Sequence, residues 1–154
     1  MVKNYKGIQV EAAVEEPPSI LVADYMARRL TTFSPDQTIM EVMDILMKKK
    51  ISGGPVVNAR KELLGVISEG DCLKEVVKGK YNNTPILSGK VSDHMATNVI
   101  TIKPDHNVFD AAHMFLEKRL RRFPVVDHGK LVGQISQKDV MRAMKNLKTE
   151  NWKH

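Results

Sequence analysis

Several chemistries are excluded by what this chain lacks. It has one cysteine, Cys72, in 154 residues, so an intrachain disulfide framework is ruled out and a reducing cytoplasm is the expected location. Aromatic residues are scarce, with one Trp, three Tyr and four Phe. That is too few for the stacking platforms on which single-stranded nucleic acids are held. No uninterrupted apolar run approaches the roughly 20 residues of a membrane span, and Met1-Val2-Lys3-Asn4-Tyr5-Lys6-Gly7 has no signal-peptide core. Without such a signal, the sequon-like Asn82-Asn83-Thr84 reads as a turn. There is no Walker loop, no Gly-x-Gly-x-x-Gly and no nucleophile–base–orienter set, so catalysis is not expected. The histidines, His94, His106, His113, His128 and His154, are dispersed without the spacing of a metal site. His113 follows two helix-stripe alanines and reads as a partly buried structural residue. Cys72 stands near a helix start, a position that can lower a thiol pKa, but it reads as a small buried hydrophobe.

What is present is an ordinary globular composition, 42% hydrophobic and 27% charged, with a net charge of +6. The positive balance favours anionic partners: nucleotides, nucleic acids or acidic protein surfaces. The cations are spread over several elements with no recognition motif, which disfavours nucleic acid.

The chain also contains itself twice. Val22-Ala23-Asp24-Tyr25-Met26 returns as Val91-Ser92-Asp93-His94-Met95, Pro35-Asp36 as Pro104-Asp105, and Pro55-Val56-Val57 as Pro124-Val125-Val126, each 69 residues later. Leu63–Asp71 returns as Leu131–Asp139, 68 residues later, after one deletion in a turn. A long repeat that recurs once is a duplicated half-domain rather than a solenoid. Halves of about 60 residues are marginal alone, so a shared core is expected, with the interface as the natural place for a site.

Each copy reads as strand, helix, strand, strand, helix, an α+β pattern. The extended Thr31-Thr32-Phe33 and Val99-Ile100-Thr101 precede helices opened by Pro-Asp pairs. Ile39, Val42, Met43, Leu46 and Met47 form one helical stripe; Val108, Ala111, Ala112, Phe115 and Leu116 form its counterpart. Two β runs joined by turns follow, at Asn58–Lys61 and Asp127–Lys130. A second helix is expected from Asp71 or Asp139, with Val140, Met144 and Leu147 on one face. Most of the nine methionines fall on such stripes, as adaptable core filling. The divisions are an N-terminal extension 1–19 with an extended Glu15-Glu16-Pro17-Pro18, repeat 20–78, linker 79–89, repeat 90–146 and tail 147–154. Trp152, in that tail, reads as part of a frayed terminus, and Lys48-Lys49-Lys50 as a solvated helix end.

The motif with most chemistry is Gly-x-Ile-Ser-x-x-Asp, at Gly65–Asp71 and Gly133–Asp139, where a strand turns into a helix. Ser-x-x-Asp alone is explained as a capping pair. The same geometry suits a ligand: free amides and the helix dipole attract phosphate, the serine adds a donor, and the carboxylate can accept a ribose diol.

Duplication, Pro-Val-Val and Gly-x-Ile-Ser-x-x-Asp together resemble a tandem pair of CBS domains, named after cystathionine β-synthase, over residues 20–146. The resemblance implies one pseudo-two-fold-symmetric module of two β-α-β-β-α repeats, often paired with a second copy as a homodimer. It implies clefts that hold AMP, ADP, ATP or another adenosyl ligand, and a role as a regulatory sensor of an unidentified partner protein. Carried onto this chain, one cleft combines Ser68 and Asp71 with Arg121 and Arg122; the other combines Ser136 and Asp139 with Ser52 and Gly53. The first is favoured, because two guanidiniums can fork onto phosphate oxygens. The second has a hydroxyl and glycines, with Lys138 as the nearby cation and room left at Gly53-Gly54. Glu69 repels phosphate if it points inward and is harmless if it points outward. The cations Lys118, Arg119, Arg121 and Arg122 also read as a solvated helix end. A constitutive dimeric scaffold with empty clefts is the alternative to a sensor.

Overall fold

The computed structural model describes residues 19–82 and 89–152, the side chains of 82 and 148–152 excepted. The Glu15–Pro18 stretch, the Asn82–Thr84 turn and the Trp152 side chain therefore lie outside the described residues. A 3-10 turn, Val22–Asp24, opens the first half. It is followed by α1 (Ile39–Lys49), the hairpin β1 (Gly53–Val57) and β2 (Leu63–Ser68), and α2 (Glu69–Asn82). The second half repeats the order with α3 (Val91–His94), α4 (Val108–Lys118), β3 (Arg122–Asp127), β4 (Lys130–Ser136) and α5 (Gln137–Trp152). Both hairpins are antiparallel. The extended stretches before α1 and α4 join them by single parallel bridges, Phe33 with Val56 and Ile102 with Val125.

Local chemistry accounts for the element ends. Thr38 caps α1 through a reciprocal box with Glu41, and Asn107 caps α4 by accepting from the Asp110 amide at 2.8 Å. The Pro-Asp pairs thus stand outside the helices they were expected to open. Each helix ends on a left-handed residue, Lys50 (φ 55°) or Arg119 (φ 54°). His128 (φ 52°) and Gly129 (φ 81°) are the two loop residues of the second hairpin, the backbone that a type I′ turn requires. The second helices begin at Glu69 and Gln137, two residues earlier than expected, so each aspartate sits inside the first turn.

Two hydrophobic clusters form, where one shared core was expected. Phe33, Ile39, Val42, Leu46, Val56, Ile67 and Cys72 pack with Val91, which comes from the second half. Ile102, Ala111, Phe115, Phe123, Val125, Ile135 and Val140 pack with Val22 and Met26 from the first. Each half therefore completes the other's core. The backbone follows the same exchange: the Ala27 and Gln134 amides and carbonyls bond reciprocally at 2.8 and 3.0 Å, as do those of Ala96 and Val66, both at 2.9 Å. Gly133 and Gly65 permit this approach, since a Cβ there would fall 2.8 Å from the Ala27 carbonyl oxygen and 2.6 Å from that of Ala96. The Pro-Asp turns serve it as well: the Ala23 amide donates to Pro104 O and the Ser92 amide to Pro35 O, both at 3.0 Å.

The apolar stripes are narrower than the sequence spacing suggests. Met47 and Leu116 are 67% and 81% exposed, because the hairpins cover only the three innermost positions of α1 and α4. His113 is on the solvent side of α4, exposed and 3.4 Å from Glu117, rather than partly buried. Among the described residues, no helix is long and apolar enough to cross a membrane.

Candidate functional site

Each strand-to-helix junction is built by the Ser-Asp pair. The Ser68 amide and hydroxyl donate to Asp71 Oδ2 at 2.9 and 3.0 Å, and the Asp71 amide reaches Ser68 Oγ at 3.4 Å. In the second copy the Ser136 amide donates to Asp139 Oδ2 at 2.8 Å, and the Asp139 amide to Ser136 Oγ at 3.2 Å. Both pairs are therefore caps. The residue before each hairpin completes the junction: the Glu69 amide donates to Ser52 O at 2.9 Å and the Gln137 amide to Arg121 O at 3.2 Å. Ser52 and Arg121, equivalent by the repeat, are thereby fixed beside helix N-termini.

Between the halves lies a cavity of about 470 Å³. Its floor is apolar, with Pro55, Val66, Ile67, Val99, Ile100 and Pro124. Ser52, Ser68, Asn98 and Gln134 add hydroxyls and amides, and Lys118, Arg121 and Arg122 add three cations. No carboxylate, histidine or cysteine is among the lining residues. The lining thus combines apolar surface that suits a flat heterocycle with cations that suit an anion.

Of the residues singled out from sequence, Ser52, Gly53, Ser68, Arg121 and Arg122 come together around this one cavity. Asp71 stands directly behind Ser68, bonded to it, and is 8% exposed. Ser136 and Asp139 do not line the cavity, and Lys138 is exposed elsewhere. Glu69 is not among the lining residues of this cavity and lines a neighbouring cleft with Met47, Lys50 and Ser52. Gly53 and Gly54 do not leave room for a larger ligand. A Cβ at Gly53 would lie 2.5 Å from Ile67 O, and one at Gly54 2.8 Å from Thr31 O; these glycines let backbones meet.

Three lining residues escape the sequence reading. Lys118 resembles a solvated helix end, but the left-handed Arg119 ends α4 so that Lys118 and Leu120–Arg122 face one cavity. Asn98 belongs to no motif, and Gln134 occupies a variable position of Gly-x-Ile-Ser-x-x-Asp. Asn98 follows Ala96, which pairs with Val66, and Gln134 pairs with Ala27, partners that are set between the two halves.

Cys72 is buried at 3% exposure. Burial pushes its thiol up from the ordinary value, and the Asp71 and Glu69 carboxylates push the same way. The helix-start position thus does not activate it. No group of three or more His, Cys, Asp or Glu among the described residues is arranged to hold a metal ion.

The CBS domain family profile matches residues 22–78 and 91–146, the two halves described above. The chain belongs to the CBS domain family. An uncharacterised protein of Methanocaldococcus jannaschii is 29% identical over 154 residues, covering 81% of this chain and 91% of that protein. The chloroplastic CBS domain-containing protein CBSX2 of Arabidopsis thaliana is 30% identical over 155 residues, and the match spans 65% of its own length. A crystal structure of CBSX2 in complex with AMP superposes with a TM-score of 0.72 at 32% identity, covering 84% of this chain and 99% of that one. The CBS domain pair of protein MJ0100, in complex with 5′-methylthioadenosine and S-adenosyl-L-methionine, gives 0.65 at 28% identity, covering 84% and 98%. The fold is thus a tandem CBS pair of helices and small antiparallel sheets, and similar pairs have been crystallised with adenosyl ligands.

Proposed function

We propose that this CBS pair is a non-enzymatic regulatory module that holds an adenine nucleotide, AMP, ADP or ATP, in the cavity between its repeats. One observation carries the reading: Lys118, Arg121 and Arg122 line a largely apolar cavity that no carboxylate lines. Adenine fits beside Val99 and Ile100. Phosphate oxygens meet the guanidiniums, which bind them in a forked geometry. The ribose lies at the N-terminus of α2, with Ser68 Oγ and the outer oxygen of Asp71 as acceptors for the diol, the Ser68 hydroxyl proton being donated to Asp71. The adenosyl ligands bound by similar pairs support this chemical class.

The nucleotide acts by favouring one arrangement of the repeats over another, which requires different affinity for the two. Because the cores are exchanged, a ligand that bridges Ser68 and Arg121 bears on both. The arrangement is read by a partner protein, and a second copy of this chain is the first such partner. Met40 and Phe109, Met47 and Leu116, and Leu73 and Met141 are equivalent positions, all between 48% and 81% exposed. Apolar side chains repeated about a pseudo-two-fold suit a homodimer.

A thermal-shift series with AMP, ADP, ATP, NAD and S-adenosylmethionine tests the reading. At a hundredfold excess over its dissociation constant a ligand adds about 2.7 kcal/mol, a rise of roughly 5–10 °C for a chain of this size. No rise with any adenylate would instead favour a constitutive scaffold with empty clefts.

A further inference from the structure

The helix α2 carries apolar side chains away from the core as well as toward it. Asp71, Cys72, Glu75 and Gly79 are buried. Leu73, Val77 and Tyr81 follow one another at spacings of four, which places them along the opposite side of the helix. They are 62%, 54% and 80% exposed. The second repeat keeps only the beginning of this stripe. Met141 is the equivalent of Leu73, but Lys145 and Thr149 stand where Val77 and Tyr81 do. The stripe thus starts at the edge of the repeated apolar set and continues beyond it, and duplication does not explain Val77 or Tyr81.

Its border is cationic. Lys74, Lys78 and Lys80 are exposed beside the stripe. The one carboxylate between Leu73 and Tyr81 is Glu75, which is 7% exposed and committed to His94 and the Gly89 amide. A two-fold that brought two such faces together would set the lysines of both copies against one another, which opposes self-pairing. A stripe only about 12 Å long, on a helix whose other side is buried, gives a headgroup layer little apolar surface to take up. An acidic amphipathic helix meets both features. Its apolar residues at i, i+3, i+4 and i+7 cover Leu73, Val77 and Tyr81, and its carboxylates meet the lysines.

We propose that the outward face of α2 is the docking surface for the regulated partner, which presents an acidic amphipathic helix to it. The Ser68–Asp71 cap stands at the first turn of this same helix, so the ligand cavity and the docking face are linked through one element. This rests on the regulatory reading above and names the chemistry of the partner.

The probes are two synthetic helical peptides of about 14 residues, with leucines at the same spacing and either glutamates or lysines on the polar face. Their binding to the full chain is read by fluorescence anisotropy. The glutamate peptide binds at least tenfold more tightly than the lysine peptide. Val77→Asp/Tyr81→Asp lowers that affinity at least tenfold, with the unfolding midpoint within about 2 °C of wild type. Lys78→Glu/Lys80→Glu reverses the preference between the peptides, a change that a structural role for these lysines does not produce. Equal binding of both peptides, binding of neither, or an unchanged affinity in Val77→Asp/Tyr81→Asp would overturn the proposal. Conversion of a dimer to a monomer by that variant in sedimentation would overturn it too, giving the face to a second copy. Binding of wild type to phosphatidylserine vesicles, lost in the same variant, would give it to a membrane instead. AMP calorimetry on the same samples separates the two readings: no AMP binding, with peptide discrimination intact, would overturn the adenylate reading alone.

Discussion

Glu75 of α2 and His94 of α3 form a buried side-chain hydrogen bond that ties the first repeat's last helix to the second repeat's first turn. Glu75 also accepts from the Gly89 amide at 3.0 Å, so the chain leading into the second repeat is pinned to the same carboxylate. The repeat does not copy this pair: the equivalent positions are Ala143 and Tyr25. The junction between repeats is thus fastened differently on its two sides, by Glu75–His94 on one and on the other by Arg142, whose guanidinium bonds Asp139 and Tyr25 O.

Removing either member leaves a buried polar group without its partner. Glu75→Gln or His94→Ala is expected to cost about 3 kcal/mol, a midpoint fall of roughly 10 °C. The double variant should lose less than the sum of the singles, and full additivity in calorimetric unfolding would show that the pair does not act as a unit.

The exchanged cores make a second prediction. Met26 lies in the first repeat but packs in the second repeat's cluster. Met26→Ala is expected to cost about 2–4 kcal/mol. Hydrogen exchange should accelerate first in β3 and β4, and a loss of protection confined to β1 and β2 would contradict the exchange.

The Cys72 thiol gives a pH prediction. Its pKa in the folded chain is raised, by burial first and then by Asp71 and Glu69. Above the unfolded thiol's value, about 8.5, the unfolded state loses a proton that the folded state keeps. This contribution to stability is therefore complete at pH 7 and declines as pH climbs past 8.5. Cys72→Ala should flatten that decline in urea titrations at pH 7 to 10, and native alkylation at pH 8 should be far slower than in urea.

Much of this was legible beforehand because the duplication fixes equivalences. The 69-residue offset that becomes 68 marks the shorter loop at His128-Gly129, and the hairpins, the caps at Ser68 and Ser136 and the main helices follow from local chemistry. The exchange of Val22 and Met26 for Val91 and Met95 was not legible, because no local pattern says which half a short motif packs against. Lys118 was misread for a related reason. A helix-end cation in solvent and one on a cavity have the same sequence context, and only the turn at Arg119 separates them. His113 failed through periodicity: one residue beyond the half-buried Ala112, the helix has already rotated to solvent.

The most direct test of the account compares AMP with adenosine by calorimetry on wild type and on Arg121→Ala/Arg122→Ala. The cavity's cations are assigned to phosphate, so the double variant should lose at least tenfold in AMP affinity and less than threefold for adenosine. Equal loss for both ligands, or none for either, would contradict the claim that this cavity holds an adenine nucleotide by its phosphate.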